Sequence, residues 1–187
     1  MTQAAVFLDR DGTLNVEKGY LYRFEDWEWI CGAVEAIRRI NALGYLAIVV
    51  TNQAGIARGY YQEDDVQNLH QQVSTLLAGE NAHIDAYYYC PHHPQFGILR
   101  DCACRKPKVG MLIQAQQDLD INLTDSWIIG DKVSDIEAGR QAGVSSILVM
   151  TGYGVEESKK APTGTFCVPD ILAAVRRIES SKYVVTQ

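Results

Sequence analysis

The stretch VFLDRDGTLN, Val6–Asn15, carries three apolar residues into a turn that holds two aspartates. A short β-rich apolar run bounded by turn residues reads as a buried strand, so its end should deliver Asp9 and Asp11 to one point. The same pattern recurs downstream. Candidate strands cover Ala4–Leu8, Tyr45–Val50, Ile84–Tyr89, Ser126–Ile129 and Ser145–Met150. Helical stripes lie between them: Val34, Ile37 and Ile40; Val66, Leu69, Val73, Leu76 and Leu77; and Leu112, Ala115 and Leu119. A shorter helix is expected over Val133–Ala142, stopped at Gly143, and a last one is marked by Ile171, Val175 and Ile178. Strands alternating with helices predict an α/β fold with a parallel sheet flanked by helices. The tail from Ser180 to Gln187 is polar enough to be loose.

At 187 residues, with 47% apolar and 21% charged side chains, the chain suits a single domain over 1–187 with a full hydrophobic core. No apolar run is long enough to span a bilayer, and no basic, then apolar, leader opens the sequence. A cytoplasmic monomer is expected, without membrane partners. The net charge of −6 argues against a nucleic-acid groove, which needs a basic stripe. A small anionic partner would instead need a local cluster of positive charge.

In an open parallel sheet, ligands collect beyond the carboxyl ends of the strands. Three expected strands end in DRDGT, VVTNQ and IIGDK, so Asp9, Asp11, Thr51, Asn52, Asp131 and Lys132 should share one pocket. Two carboxylates plus a third from another strand suit Mg2+, a hard cation that prefers oxygen ligands and keeps some waters. That ion implies a phosphate substrate. A metal-held aspartate can attack phosphorus, and a second can protonate the leaving oxygen and later activate water. Lys106, in CRKPK, is the natural cation to neutralise the transferred group.

DRDGT resembles the D-x-D-x-[TV] signature of the haloacid dehalogenase (HAD) superfamily, VVTN its second motif, RKPK its third, and GDKVSD with AGRQAG its fourth. The resemblance implies a Rossmann-like HAD domain with Asp9 as nucleophile and Asp11 as general acid/base. It further implies Thr51 and Lys106 as phosphoryl binders, and Asp131 as a magnesium ligand with Asp9 and the Asp11 backbone carbonyl. Asp135 would be a supporting carboxylate.

The stretch CPHHPQFGILRDCAC, residues 90–104, resists assignment as strand or helix and crowds three cysteines and two histidines together. Cys90 and His92 pair with Cys102 and Cys104 as a closed tetrahedral set for structural Zn2+, with no open position for chemistry. His92 is preferred over His93 because its alternate-residue spacing matches the Cys-x-Cys half. Such a loop would fix Arg105 and Lys106, which follow it directly. Cys31 and Cys167 read as ordinary core residues.

Neither Asn15–Gly44 nor Ala54–Arg105 leaves room for a large cap domain, so specificity should come from short segments. These carry Lys18, Arg23, Arg58 and Arg105. DRDGTLN, EKGY, TNQAGIARG, CPHHP, CxCRKP and GDK together look like the bacterial D-glycero-D-manno-heptose 1,7-bisphosphate phosphatases. That resemblance, from about Val6 to Thr151, implies removal of the 7-phosphate from a phosphosugar on the way to nucleotide-activated heptose for lipopolysaccharide. Asp9, Arg10, Asp11, Glu17, Lys18, Gly19, Tyr20, Thr51, Asn52, Gln53, Ala54, Arg58, Arg105, Lys106 and Lys132 would contact substrate. Glu17 and Lys18 stand where that family is expected to carry Asp-His. The alternatives are a histidinol-phosphate phosphatase, whose cationic substrate would want acids rather than Arg58 and Arg105, and a zinc-stabilised binding module without turnover.

Overall fold

Strand β1 (Ala5–Leu8) lies inside a six-stranded, wholly parallel sheet in the computed structural model, which describes residues 2–184. In chain order the elements are β1, α1 (Ala33–Ala42), β2 (Leu46–Asn52), α2 (Ala54–Ala57), α3 (Glu63–Gly79), β3 (Ala86–Cys90) and α4 (Gly110–Leu119). They continue with β4 (Trp127–Gly130), α5 (Val133–Ala142), β5 (Ser145–Val149), α6 (Gly154–Glu157), β6 (Phe166–Val168) and α7 (Ile171–Val184). The strand order β3-β2-β1-β4-β5-β6 reverses direction between β1 and β4. Crossover helices diverge to either side there, opening a crevice at the carboxyl ends of those strands.

Alternation along β1 feeds two cores. Val6 and Leu8 join Val49, Ile129 and Ile147 on one face, covered by Ile37 and Ile40 of α1, Leu69, Val73 and Leu77 of α3, and Val175 and Ile178 of α7. Ala5 and Phe7 join Ile48, Val50 and Ile128 on the other, covered by Met111, Leu112 and Ala115 of α4 and Ala138 of α5. Because both faces are buried, the strands read as continuous apolar runs. Leu8 is in register with Val49 of β2 and with Ile129 of β4, which brings the residues following all three strands to one rim.

Four expectations are corrected. The edge strand β6 is additional: with three residues and Phe166 and Cys167 exposed, it has almost no apolar pattern. Helix α7 continues through Ser180–Val184, where a loose tail was expected, with Ser180 and Ser181 hydroxyls donating to the Arg176 and Ile178 carbonyls. The rest of that tail, 185–187, lies outside the described residues. Cys31 and Cys167, expected in the core, are both exposed: one lies in the turn before Gly32, the other on the edge strand. Among the described residues no helix is long and apolar enough to cross a membrane.

Candidate active site

Asp9 follows β1 and Thr51 and Asn52 end β2, and all three line a cavity of about 480 Å3. Asp131, which follows β4 and was expected in the same pocket, is fully buried beside Asp9 and does not line it. The loops close tightly. Gly12 has φ +89°, and a Cβ there would lie 2.2 Å from Asp131 Oδ2, so the turn after β1 can meet the β4 loop only without a side chain. Residues 16–30 form a flap, tied by Val16 N–H to Glu28 O (2.8 Å) and Ile30 N–H to Leu14 O (2.9 Å), and its Glu17, Gly19, Tyr20 and Leu21 line the cavity.

Lys106 enters this crevice from the cysteine-rich loop and is only 4% exposed. Its Nζ lies 2.7 Å from Asp9 Oδ1 and 2.6 Å from Asp135 Oδ1, and donates to Val50 O at 2.6 Å. Burial opposes the lysine charge, yet Asp135 and Asp9 more than offset it and hold the ammonium pKa above its usual value. Burial likewise opposes the Asp9 charge, and Lys106 with Lys132 brings its pKa below the ordinary carboxylate value. Asp9 therefore faces the cavity as an anion with one oxygen engaged. Asp135, buried at the start of α5, accepts the Lys132 N–H at 3.1 Å, and burial pushes it up to about 6.

Asp131 is different. Its Oδ2 accepts the Tyr153 N–H at 2.8 Å, while Oδ1 is buried with no hydrogen-bond partner. Burial and the neighbouring Asp9 charge push its pKa up to about 8. Carboxylate oxygens of Asp9, Asp131 and Asp135 all lie within 4.8 Å of one another. An orphaned buried oxygen in an anionic cluster is the donor set a hard divalent cation completes.

Asp11, beside this cluster, is held by five donor contacts. Arg10 Nε (3.2 Å) and Nη2 (3.0 Å) and Asn15 Nδ2 (3.0 Å) reach Oδ1, while Arg10 Nη2 (2.8 Å) and Gln53 Nε2 (3.0 Å) reach Oδ2. Its side chain is thus fixed at the cavity wall.

The cysteine loop gathers four soft donors. Cys90 Sγ lies 3.6 Å from Cys102 Sγ and 3.2 Å from Cys104 Sγ, and His92 Nδ1 lies 3.2 Å from Cys104 Sγ. A tetrahedral ion with metal–sulfur bonds of about 2.3 Å has sulfur–sulfur edges of about 3.8 Å, so the cluster is close to metal-binding dimensions. Burial pushes the Cys90 thiol up; at Cys102 burial is outweighed by the Arg105 N–H and the adjacent thiols, and its pKa falls to about 7. His93 turns away, accepting the Gln95 N–H at 3.1 Å and meeting Arg58 Nη2 at 3.4 Å. The His92 carbonyl accepts from Arg105 Nη1 at 3.0 Å, so one residue joins the cluster and orients a guanidinium on the cavity wall.

The HAD-hyrolase-like family profile matches residues 103–174. The chain is 45% identical to the D-glycero-beta-D-manno-heptose-1,7-bisphosphate 7-phosphatase of Pasteurella multocida (strain Pm70), over 83% of this chain and 86% of that protein. It is 47% identical to the D-glycero-alpha-D-manno-heptose-1,7-bisphosphate 7-phosphatase of Burkholderia mallei (strain ATCC 23344), over 80% and 81%. The crystal structure of D,D-heptose 1,7-bisphosphate phosphatase from B. bronchiseptica, complexed with magnesium and phosphate, superposes with a TM-score of 0.87 at 30% identity, covering 96% of this chain and 99% of that one. The chain belongs to the heptose 1,7-bisphosphate 7-phosphatase family of HAD hydrolases. Its fold is that of a phosphoric monoester hydrolase, and among the described residues no cap domain is present. Relatives named for either anomer are similarly identical, so overall likeness does not select an anomer.

Within this family frame, Glu17, Gly19, Tyr20, Asn52, Gln53, Ala54, Arg105 and Lys132 line the cavity, as do Asp9, Asp11, Thr51, Lys106 and Asp135. Three expected substrate contacts do not. Arg10 is 1% exposed and spends its guanidinium on Asp11, Leu21 O (2.8 Å) and His70 Nε2 (3.5 Å). Lys18 turns outward to Glu28 (2.9 Å) and Asp26 O (3.1 Å). Arg58 lies over the Phe96 ring at 4.0 Å, and Arg23 pairs with its neighbour Tyr22. Of the basic set expected from the short segments, only Arg105 reaches the cavity. Leu21, Tyr61, Ser134 and Tyr153 also line it and were not anticipated. Ser134 alone had a signal, lying inside GDKVSD.

Proposed function

We propose that this protein removes the 7-phosphate from D-glycero-D-manno-heptose 1,7-bisphosphate, as a single-domain cytoplasmic monomer acting before nucleotide activation of the sugar. The observation that carries this reading is the buried set of Asp9, Lys106 and Asp131, with Asp9 and Lys106 on the cavity wall, in a chain this similar to enzymes named for that reaction. One chain supplies every residue named at the site, and a cluster of three free cysteines and an imidazole suits a reducing compartment.

Asp9 attacks phosphorus through its carboxylate; the phosphorus–oxygen bond to the sugar breaks, and Asp11 delivers a proton to the departing alkoxide. Asp11 then takes a proton from water, whose oxygen attacks the aspartyl-phosphate, releasing phosphate and restoring Asp9. Lys106 and Thr51 neutralise and orient the transferred oxygens. Asp9, Asp131 and the Asp11 backbone carbonyl would hold magnesium, which when bound supplies further charge neutralisation at those oxygens. Asp135 supports the set by fixing Lys106. Cys90, His92, Cys102 and Cys104 would hold structural zinc, which would keep Arg105 on the wall. A guanidinium fork matches phosphate oxygens, which suits Arg105 to the second phosphate. Glu17, Gly19, Tyr20, Asn52, Gln53, Ala54 and Lys132 form the remaining wall around the sugar.

Phosphorus NMR of the product tests the assignment. Retention of the anomeric phosphate with loss of the 7-phosphate signal is expected; the reverse would refute it.

A further inference from the structure

Gln53 is 2% exposed and sits between two groups the proposed reaction uses. Its Nε2 donates to Asp11 Oδ2 at 3.0 Å and to Thr51 Oγ1 at 2.9 Å. Since Thr51 Oγ1 accepts that bond, its own hydrogen is left to donate to a phosphoryl oxygen. Oε1 of the same amide accepts from Tyr61 Oη at 2.7 Å and from Arg10 Nη2 at 3.3 Å. Arginine can only donate and Asp11 faces the other end, so the amide has one possible orientation. Tyr61 makes the shorter of the two bonds to Oε1.

Tyr61 is itself fixed. It is 6% exposed, its ring stacks on Tyr22 of the flap at 5.0 Å and 20°, and it lies against Gly55, where a Cβ would fall 2.2 Å from the ring. Burial pushes its phenol up to about 12, so it remains a donor throughout the neutral range.

We propose that Tyr61 is a positioning residue: through the Gln53 amide it sets Asp11 for proton delivery and Thr51 for phosphoryl binding. The proposal deepens the phosphatase reading and rests on it. Tyr61 moves no proton and touches no reacting atom. It decides where the Gln53 donor sits, and that donor fixes the spacing between the group that protonates the leaving oxygen and the group that holds the transferred one.

Leaving-group dependence separates this role from a merely structural one. A sugar alkoxide needs a proton as it departs, whereas p-nitrophenolate leaves without one. Leaving-group release in a single turnover is therefore compared for wild type and Tyr61→Phe on heptose 1,7-bisphosphate and on p-nitrophenyl phosphate, at saturating magnesium. The Thr51 share of any loss is common to both substrates, so the Asp11 share is the ratio of the two losses. Tyr61→Phe should slow sugar release about tenfold more than nitrophenolate release. Gln53→Leu, which removes the amide altogether, should show a larger ratio in the same direction. Equal losses on both substrates, or no loss on either, would overturn the proposal. A wild type that acts on histidinol phosphate and not on the heptose would refute the sugar assignment separately, and the same comparison then runs on that alkyl ester.

Discussion

His70 allows the sharpest stability prediction, because a titratable side chain outside the chemistry is buried against a permanent cation. It is 5% exposed on α3, stacks on Tyr87 at 4.4 Å and meets Tyr89 edge-on at 6.2 Å, with Arg10 Nη1 3.5 Å from its Nε2. Arginine donates, so Nε2 accepts and the ring is neutral. Burial, reinforced by the Arg10 charge, lowers its pKa from 6.5 to about 3. The folded value is depressed, so the stability His70 contributes is complete above the unfolded pKa and drains away as pH falls from there towards about 3. For an unfolded pKa of about 6.5, the unfolded chain gains about 1.4 kcal/mol from protonation at pH ~5.5, while the folded chain gains almost nothing. His70→Gln keeps a neutral acceptor for Arg10 and cannot titrate. Urea unfolding of both proteins at pH ~8 and pH ~5.5 should show wild type losing about 1.4 kcal/mol more than the variant. Lost stacking in the variant affects both pH values alike and cancels. Parallel losses in the two proteins would show that His70 accepts a proton while folded, and would refute the reasoning.

Asp131→Asn should raise the thermal midpoint of the metal-free protein at pH ~8 while abolishing magnesium-dependent turnover. Asp131 has a raised folded pKa of about 8, so its stabilising contribution is present below the ordinary carboxylate value and is lost as pH rises through about 8. Arg105→Lys should raise KM for the bisphosphate about tenfold and spare a simple monophosphate, measured by steady-state kinetics, because a point charge replaces a fork already oriented by His92 O. Cys102→Ser should reduce activity at least about tenfold with far-UV dichroism retained, since of the four donors only Cys90 lies in a strand; wholesale unfolding would mean that the cluster supports the domain.

The carboxyl-end rim was legible because each strand announces itself by a short apolar run and stops in a reactive residue. VFLD, VVTN and IIGD needed only the parallel topology to meet, and the spacing of Cys90, His92, Cys102 and Cys104 carried the cluster. Side-chain direction was not legible. Arg58 and Lys18 have the right charge in the right loops, but an aromatic ring claims one and Glu28 the other. Arg10, adjacent to two functional aspartates, points inward because its charge is satisfied by Asp11, Gln53 and a carbonyl. Tyr61 and Tyr153 reach the cavity only through tertiary packing, which leaves no periodic trace. Strand β6 and the four-residue helices α2 and α6 are too short to show a period.

The central claim is that Asp9 carries the phosphoryl group from a heptose bisphosphate. It is tested most directly by magnesium-dependent phosphate release from heptose 1,7-bisphosphate beside histidinol phosphate, with Asp9→Asn as the blank. The account predicts preference for the bisphosphate and no release by the variant. Preference for histidinol phosphate, or undiminished release by Asp9→Asn, would contradict it.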